Sequence, residues 1–247
     1  MPTYRLDIAY DGAEFHGYAK QPNVRTVQGD LEQALGRFVP ELETFVAGRT
    51  DKGVHAAGQV VSFATDDPID VDEIQRSVNR QVGPRIAVRA LSLVGDEFHA
   101  RFSATGRRYV YRILDTLVHD PMLRRTSWHV PVPLDIEAMN AGADHLLGEQ
   151  DFASFCRKSG DRSTIRLVRA VAWRRGPDGL LWFEIEASSF CHQMVRSVVA
   201  VLVDVGRGKL LPDDVRRILR ARDRTTGRGV APPHGLTLAA VSYDPTT

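Results

Sequence analysis

Short stretches in which apolar and polar residues alternate recur from one end of this chain to the other, and they narrow the possible folds more than any other feature. Tyr4 to Tyr10 sets Tyr, Leu, Ile and Tyr against Arg, Asp and Ala, the period-two signature of a half-buried strand. Strand-like runs follow at about 43–47, 58–64, 86–93 and 107–114. Two more, near 165–174 and 180–188, flank the turn sequence Gly176-Pro177-Asp178-Gly179, a strong hairpin signal, and Leu236 to Tyr243 makes the last. Between them stand fewer helices, each with a start signal. Thr26 caps a helix whose Val27, Leu31, Leu35 and Phe38 form one apolar stripe. Asp70 with Glu73 opens a helix through Asn79, and Asp135 caps one after the Pro131-Val132-Pro133 break. A helix from about His192 to Val205 carries Met194, Val198, Val201, Leu202 and Val205 on its apolar arc, with Arg196 outside it; Pro212 starts another. Strands in hairpin-like runs, without strict strand–helix alternation, predict an α+β fold with a mostly antiparallel sheet and flanking helices.

Length and composition set the class. With 247 residues, 43% hydrophobic and 26% charged, the chain can bury a sizeable core and has no disordered character. No apolar run approaches the ~20 residues of a membrane span, and Met1 to Tyr10 lacks the core of a signal peptide, so a cytoplasmic location is expected. Cys156 and Cys191 cannot build a disulfide framework; Cys191 is expected to be a buried thiol, and neither cysteine nor the eight scattered histidines suggest a metal site. Charge is segregated. Residues 1–100 hold 10 basic and 15 acidic groups, whereas 101–175 hold 13 and 8, and 28 of the 32 basic residues are arginine. A local positive surface rich in planar guanidinium groups suits phosphate contacts. The basic middle and the proline-rich spacer suggest two subdomains, 1–105 and 106–247.

One segment stands apart. Ala47-Gly48-Arg49-Thr50-Asp51-Lys52-Gly53-Val54-His55-Ala56 places a cation, a hydroxyl and a carboxylate between two glycines. That is a poor sequence for a core or a regular strand, and a good one for a catalytic loop set between strands. On its residues alone the plainer reading wins, a polar turn in which Asp51 bonds its own backbone.

The string resembles the catalytic loop of the bacterial tRNA pseudouridine synthase A family, GRTDxGVH followed by a small residue. Phe98-His99-Ala100-Arg101-Phe102-Ser103-Ala104-Thr105 with Arg107-Arg108-Tyr109-Val110-Tyr111 is similar to the family's second block, and Phe190-Cys191-His192-Gln193-Met194-Val195-Arg196 to its third. Tyr10-Asp11-Gly12 with Gly17, and Ala231-Pro232 with Gly235-Leu236, match further landmarks, so the resemblance spans nearly the whole chain.

The resemblance implies a pseudouridine synthase fold with two subdomains around a central basic cleft, acting on uridines 38 to 40 of the tRNA anticodon stem and loop. It implies a homodimer in which one tRNA contacts both subunits, and no cofactor. It makes Asp51 the nucleophile, Arg196 its ion-pair partner, Arg49 a residue that holds or replaces the flipped nucleotide, and Tyr109 the ring stacked on the target uracil. Arg25, Arg101, Arg107 and Arg108 are candidate phosphate contacts. These roles make physical sense. The uridine must leave its stack at a cost of a few kcal/mol, and stacking on an aromatic ring returns ~1–3 kcal/mol. RNA closing over Asp51 removes water and penalises its charge, which an adjacent guanidinium offsets. Tyr111 points to the same face as Tyr109 and competes for its role. His55 and His192 are expected to be structural.

Two departures stand out: Lys52 fills the variable place beside Asp51, and Tyr18-Ala19-Lys20 replaces a tryptophan-led polar stretch, which bears on RNA contacts of that loop. Other readings of the same residues are a catalytically silent RNA-binding protein, a hydrolase pairing Asp51 with His55 or a second carboxylate, and a synthase acting on another RNA.

Overall fold

The computed structural model describes residues 1–67, 69–157, 160 and 162–244. Two compact units make up the chain, residues 1–105 with 237–247, and residues 106–236.

In the first unit the N-terminal alternation becomes β1 (Thr3–Tyr10), whose inward Tyr4, Leu6, Ile8 and Tyr10 are buried. Helix α1 (Val27–Leu35) begins where Thr26 accepts the Gly29 N–H, and it buries Val27, Leu31 and Leu35; Phe38 of the sequence stripe lies past its end. The short β2 (Phe45–Val46) pairs with β3 (His55–Ala64), which runs antiparallel to β1 with Leu6 opposite Val61. Helix α2 (Val71–Val82) starts at Asp70, whose carboxylate accepts the N–H groups of Asp72 and Glu73, and it continues past Asn79 to pack on β4 (Ile86–Val94) and α1. Asn79 clamps β4 directly, accepting the Val88 N–H at 2.8 Å and donating to its carbonyl at 2.9 Å. β4 completes an antiparallel pair on the other edge of β1.

The second unit is built on four antiparallel strands in the order β5 (Ala104–Leu114), β9 (Leu181–Ala187), β8 (Ile165–Arg175) and β7 (Gly148–Asp151), with β6 (Trp128–His129) running parallel beside β5. β8 and β9 form the hairpin expected around Gly176–Gly179, and Arg175 reaches back to the buried Asp115 with two bonds of 2.6 and 3.0 Å. Three helices, α3 (Ile136–Ala143), α4 (Met194–Gly206) and α5 (Pro212–Ala221), pack on one another, and α3 lies on β8, where Asn140 bonds the Trp173 N–H and carbonyl. α4 is buried almost all round, with Arg196 and Asp204 partly exposed.

The final strand, β10 (Leu236–Tyr243), returns to the first unit, where Thr237 and Leu238 pair in parallel with His55 and Ala56 of β3. The sequence division 1–105 and 106–247 assigns this strand to the second unit; its backbone partner is over 170 positions earlier, a distance no local pattern can bridge. Val241 and Tyr243 then pack on a small core of Ala47, Val60, Phe98 and Ala100.

Candidate active site

The Asp51 loop connects β2 to β3, and the protein fixes it from three directions. Its backbone turns back on itself where the Val54 N–H donates to the Asp51 carbonyl at 3.1 Å. Gly53 takes a left-handed φ of 79° to permit this. The segment after β1 then lies against it: the Tyr18 N–H donates to the Thr50 carbonyl at 3.0 Å. That approach tolerates no side chains, since a Cβ on Gly12 would lie 2.0 Å from the Val54 carbonyl oxygen. The third support is a buried set of side chains. The Tyr10 hydroxyl and Thr50 Oγ1 lie 2.8 Å apart, and Gln59 Nε2 donates to the Tyr10 hydroxyl at 3.3 Å and to the Gly48 carbonyl at 2.7 Å. Burial pushes the Tyr10 phenol up to about 12, against the opposing pull of its bonds to Thr50 and Gln59. Asp51 is thus carried, half-buried, by a loop whose neighbours are anchored on both sides, with Arg49 and Lys52 exposed beside it.

His55 opens β3 and is buried, with Nδ1 accepting the Gly12 N–H at 3.1 Å. Asp11 Oδ1 lies 3.1 Å from the same nitrogen. His55 thereby ties the end of β1 to the start of β3.

In the second unit, Arg196 sits on the first turn of α4. Its Nε donates to the Ala231 carbonyl at 2.7 Å, and its own carbonyl accepts the Ala231 N–H at 3.0 Å. The same strap of chain takes the Tyr111 hydroxyl, which donates to the Pro232 carbonyl at 2.7 Å, while Gly235 leaves room for the Tyr111 ring. Both tyrosines are buried, Tyr109 with 8% of its surface exposed and Tyr111 with none. Tyr111 is a fully buried packing residue whose phenol burial pushes upward; Tyr109 meets Phe190 edge-on, ring centroids 5.1 Å apart. The start of α4 departs from the sequence expectation: the helix begins at Met194, because Gln193 takes a left-handed φ of 65°. Arg224 braces that start by donating to Ser197 Oγ at 2.8 Å and Gln193 Oε1 at 3.3 Å. Cys191, half-buried, lies beside Cys156, their Cα atoms 5.7 Å apart.

The four candidate phosphate contacts differ. Arg25 is exposed but paired with Asp30 at 2.5 Å and lies over the Phe15 ring; Arg101 is exposed over Phe102; Arg108 is exposed, 3.4 Å from Glu184. Arg107 is 8% exposed and donates to the Ser188 carbonyl at 2.9 Å, just past the end of β9. Tyr18 is buried against Tyr10 and supports the loop by its backbone, which makes the Tyr18-Ala19-Lys20 departure a packing change at its first residue. Sequence reading missed Tyr10, Gln59 and Arg224. For Gln59 there was a signal, an amide at an inward place of an apolar strand. Among the described residues, no cluster of His, Cys, Asp and Glu could hold a metal ion, and no helix is long and apolar enough to cross a membrane.

Comparison with known proteins covers both units. The family model described as tRNA pseudouridine synthase matches residues 8–103 and 143–244. The chain is 43% identical to a tRNA pseudouridine synthase A of Leifsonia xyli, over 97% of this chain and 91% of that protein. It is 43% identical to that of Frankia casuarinae, over 98% and 89%, and 40% identical to that of Thermosipho africanus, over 98% and 100%. Among solved structures, a Cbf5-Nop10-Gar1 complex aligns with 81% of this chain and 45% of its own at a TM-score of 0.37 and 13% identity, too distant to argue from. The loop bearing Asp51 and the helix bearing Arg196 both fall inside the matched regions, and this chain belongs to the tRNA pseudouridine synthase family.

Proposed function

We propose that the protein isomerises uridine to pseudouridine at positions 38 to 40 of the anticodon stem and loop of tRNAs, with Asp51 as nucleophile. The reaction breaks the bond from ribose C1′ to uracil N1, turns the base and rejoins C1′ to C5. The C5 proton is released and N1 takes one up, so nothing is gained or lost overall. One carboxylate suffices for this, and no cofactor is called for. The observation that carries the reading is the Asp51 loop, in which a carboxylate is presented by a backbone turn anchored through Thr50, Gly48 and Val54.

Arg196 is assigned as the ion-pair partner that keeps Asp51 charged once RNA excludes water, its direction supported by the Nε bond to Ala231. Tyr109 is assigned to stacking on the extruded uracil and Arg49 to holding or replacing the flipped nucleotide, consistent with its exposure on the loop. Arg25, Arg101 and Arg108 are assigned to the RNA backbone. The family resemblance also supports a homodimer in the cytoplasm, with one tRNA touching both subunits. The test is release of tritium from tRNA labelled at uracil C5, with uridines 38, 39 and 40 replaced singly. Release that disappears with those positions supports the assignment. Release that persists without them moves the target elsewhere, and shortened RNA or free uracil would favour hydrolysis instead.

A further inference from the structure

A buried amide is costly unless every one of its polar atoms is satisfied, and Gln59 is fully buried. Its orientation follows from its partners. The Gly48 carbonyl can only accept, so the nitrogen faces it at 2.7 Å; the Val60 N–H can only donate, so Oε1 faces that at 3.2 Å. The second Nε2 hydrogen is then directed at the Tyr10 hydroxyl, 3.3 Å away, and that hydroxyl shares a hydrogen bond with Thr50 Oγ1 at 2.8 Å. Gln59, Tyr10 and Thr50 are therefore linked by an unbroken run of hydrogen bonds whose two ends grip positions 48 and 50, on either side of Arg49 and next to Asp51. Nothing else about β1 or β3 requires this arrangement. The neighbouring inward positions, Leu6, Ile8, Val61 and Phe63, are apolar and buried, and an apolar residue at 59 would continue the pattern.

We propose that Tyr10 and Gln59 are positioning residues for the isomerisation, fixing the loop that presents Asp51 by holding Thr50 and the Gly48 carbonyl. This rests on Asp51 being the nucleophile. A carboxylate must be held to within a fraction of an ångström for attack, and a displacement of about 1 Å costs on the order of 10²-fold in rate. The raised phenol of Tyr10 is consistent with a group that stays neutral in the buried set.

The test uses the full chain with Tyr10→Phe, which removes a single oxygen, and Gln59→Leu as a second variant. Three quantities are read: single-turnover tritium release at saturating tRNA, tRNA dissociation constant, and amide hydrogen exchange of residues 48–54. The expected result for Tyr10→Phe is a rate lowered by about 10- to 100-fold, tRNA affinity within about twofold, and faster exchange of the loop amides. Combining Tyr10→Phe with Thr50→Val should lose no more than the worse single change, since both break one bond. Wild-type rate and exchange in both variants would overturn the proposal, as would a rate loss matched by an equal loss of affinity. If wild type itself releases no tritium, the proposed activity fails. The exchange measurement then still decides whether Tyr10 and Gln59 hold the loop: unchanged exchange overturns it, and faster exchange upholds it.

Discussion

At the scale of single residues, Arg196 is placed by its own scaffold. Nε holds the Ala231 carbonyl while the Ala231 N–H returns to the Arg196 carbonyl, so side chain and backbone are tied to the same strap. Lysine carries the charge but not the fixed fork. Arg196→Lys is therefore expected to lower single-turnover tritium release by about tenfold, and Arg196→Ala by about 10²-fold, with tRNA affinity nearly unchanged in both. Tyr10 gives a second, independent expectation. Its phenol is raised from 10.0 to about 12 by burial, so the folded state disfavours ionisation. The stability this represents is complete below pH 10 and is lost as pH climbs toward about 12, because the unfolded chain ionises there first. Unfolding free energy measured across that window should fall less steeply in Tyr10→Phe, by up to about 1.4 kcal/mol per pH unit. An identical slope would contradict the burial of that phenol. Residues of this kind were only partly legible in sequence. Tyr109 and Tyr111 share a strand face two positions apart, and what each meets, Phe190 for one and the Pro232 carbonyl for the other, is set far away in sequence. Arg107 and Arg108 look alike in sequence, yet alternation on β5 puts Arg107 on the face of Tyr109 and leaves Arg108 exposed on the other.

At the scale of elements, the Asp51 loop depends on close backbone approach. Gly12 faces the Val54 carbonyl so tightly that any Cβ must push the loop away. Gly12→Ala is expected to cost about 1–3 kcal/mol in denaturant unfolding and to lower the rate more than Thr26→Ala, which costs ~1 kcal/mol by removing the α1 cap. Equal rates in the two would separate the loop from the Gly12 contact. Helix caps and alternating strands were readable because their causes are local: Thr26, Asp70 and Asp135 each accept the N–H groups their positions predict. The start of α4 was not, because the left-handed Gln193 is held by Arg224, 31 positions away. The partner of β10 was not, because its pairing with β3 spans most of the chain. The loop itself was legible as a motif, while the Tyr10 and Gln59 that brace it come from strands on either side of it in sequence.

At the scale of the whole molecule, the net charge of +1 conceals a basic middle segment, and RNA binding should report the part and not the total. Affinity for tRNA is expected to fall linearly with salt on a log–log plot, and each of Arg25→Gln, Arg101→Gln and Arg108→Gln should reduce the slope by about one. Arg107→Gln should instead lower stability, since its guanidinium holds the Ser188 carbonyl inside the fold. Affinity independent of salt would remove the phosphate assignments together. Sedimentation of the chain with and without tRNA tests the homodimer, with a monomer under both conditions the opposing result. The central claim is that Asp51 performs the isomerisation, and its most direct measurement is tritium release from C5-labelled tRNA by wild type, Asp51→Ala and Asp51→Asn, each folded and each binding tRNA. The account predicts release by wild type alone; equal release from wild type and Asp51→Ala would contradict it.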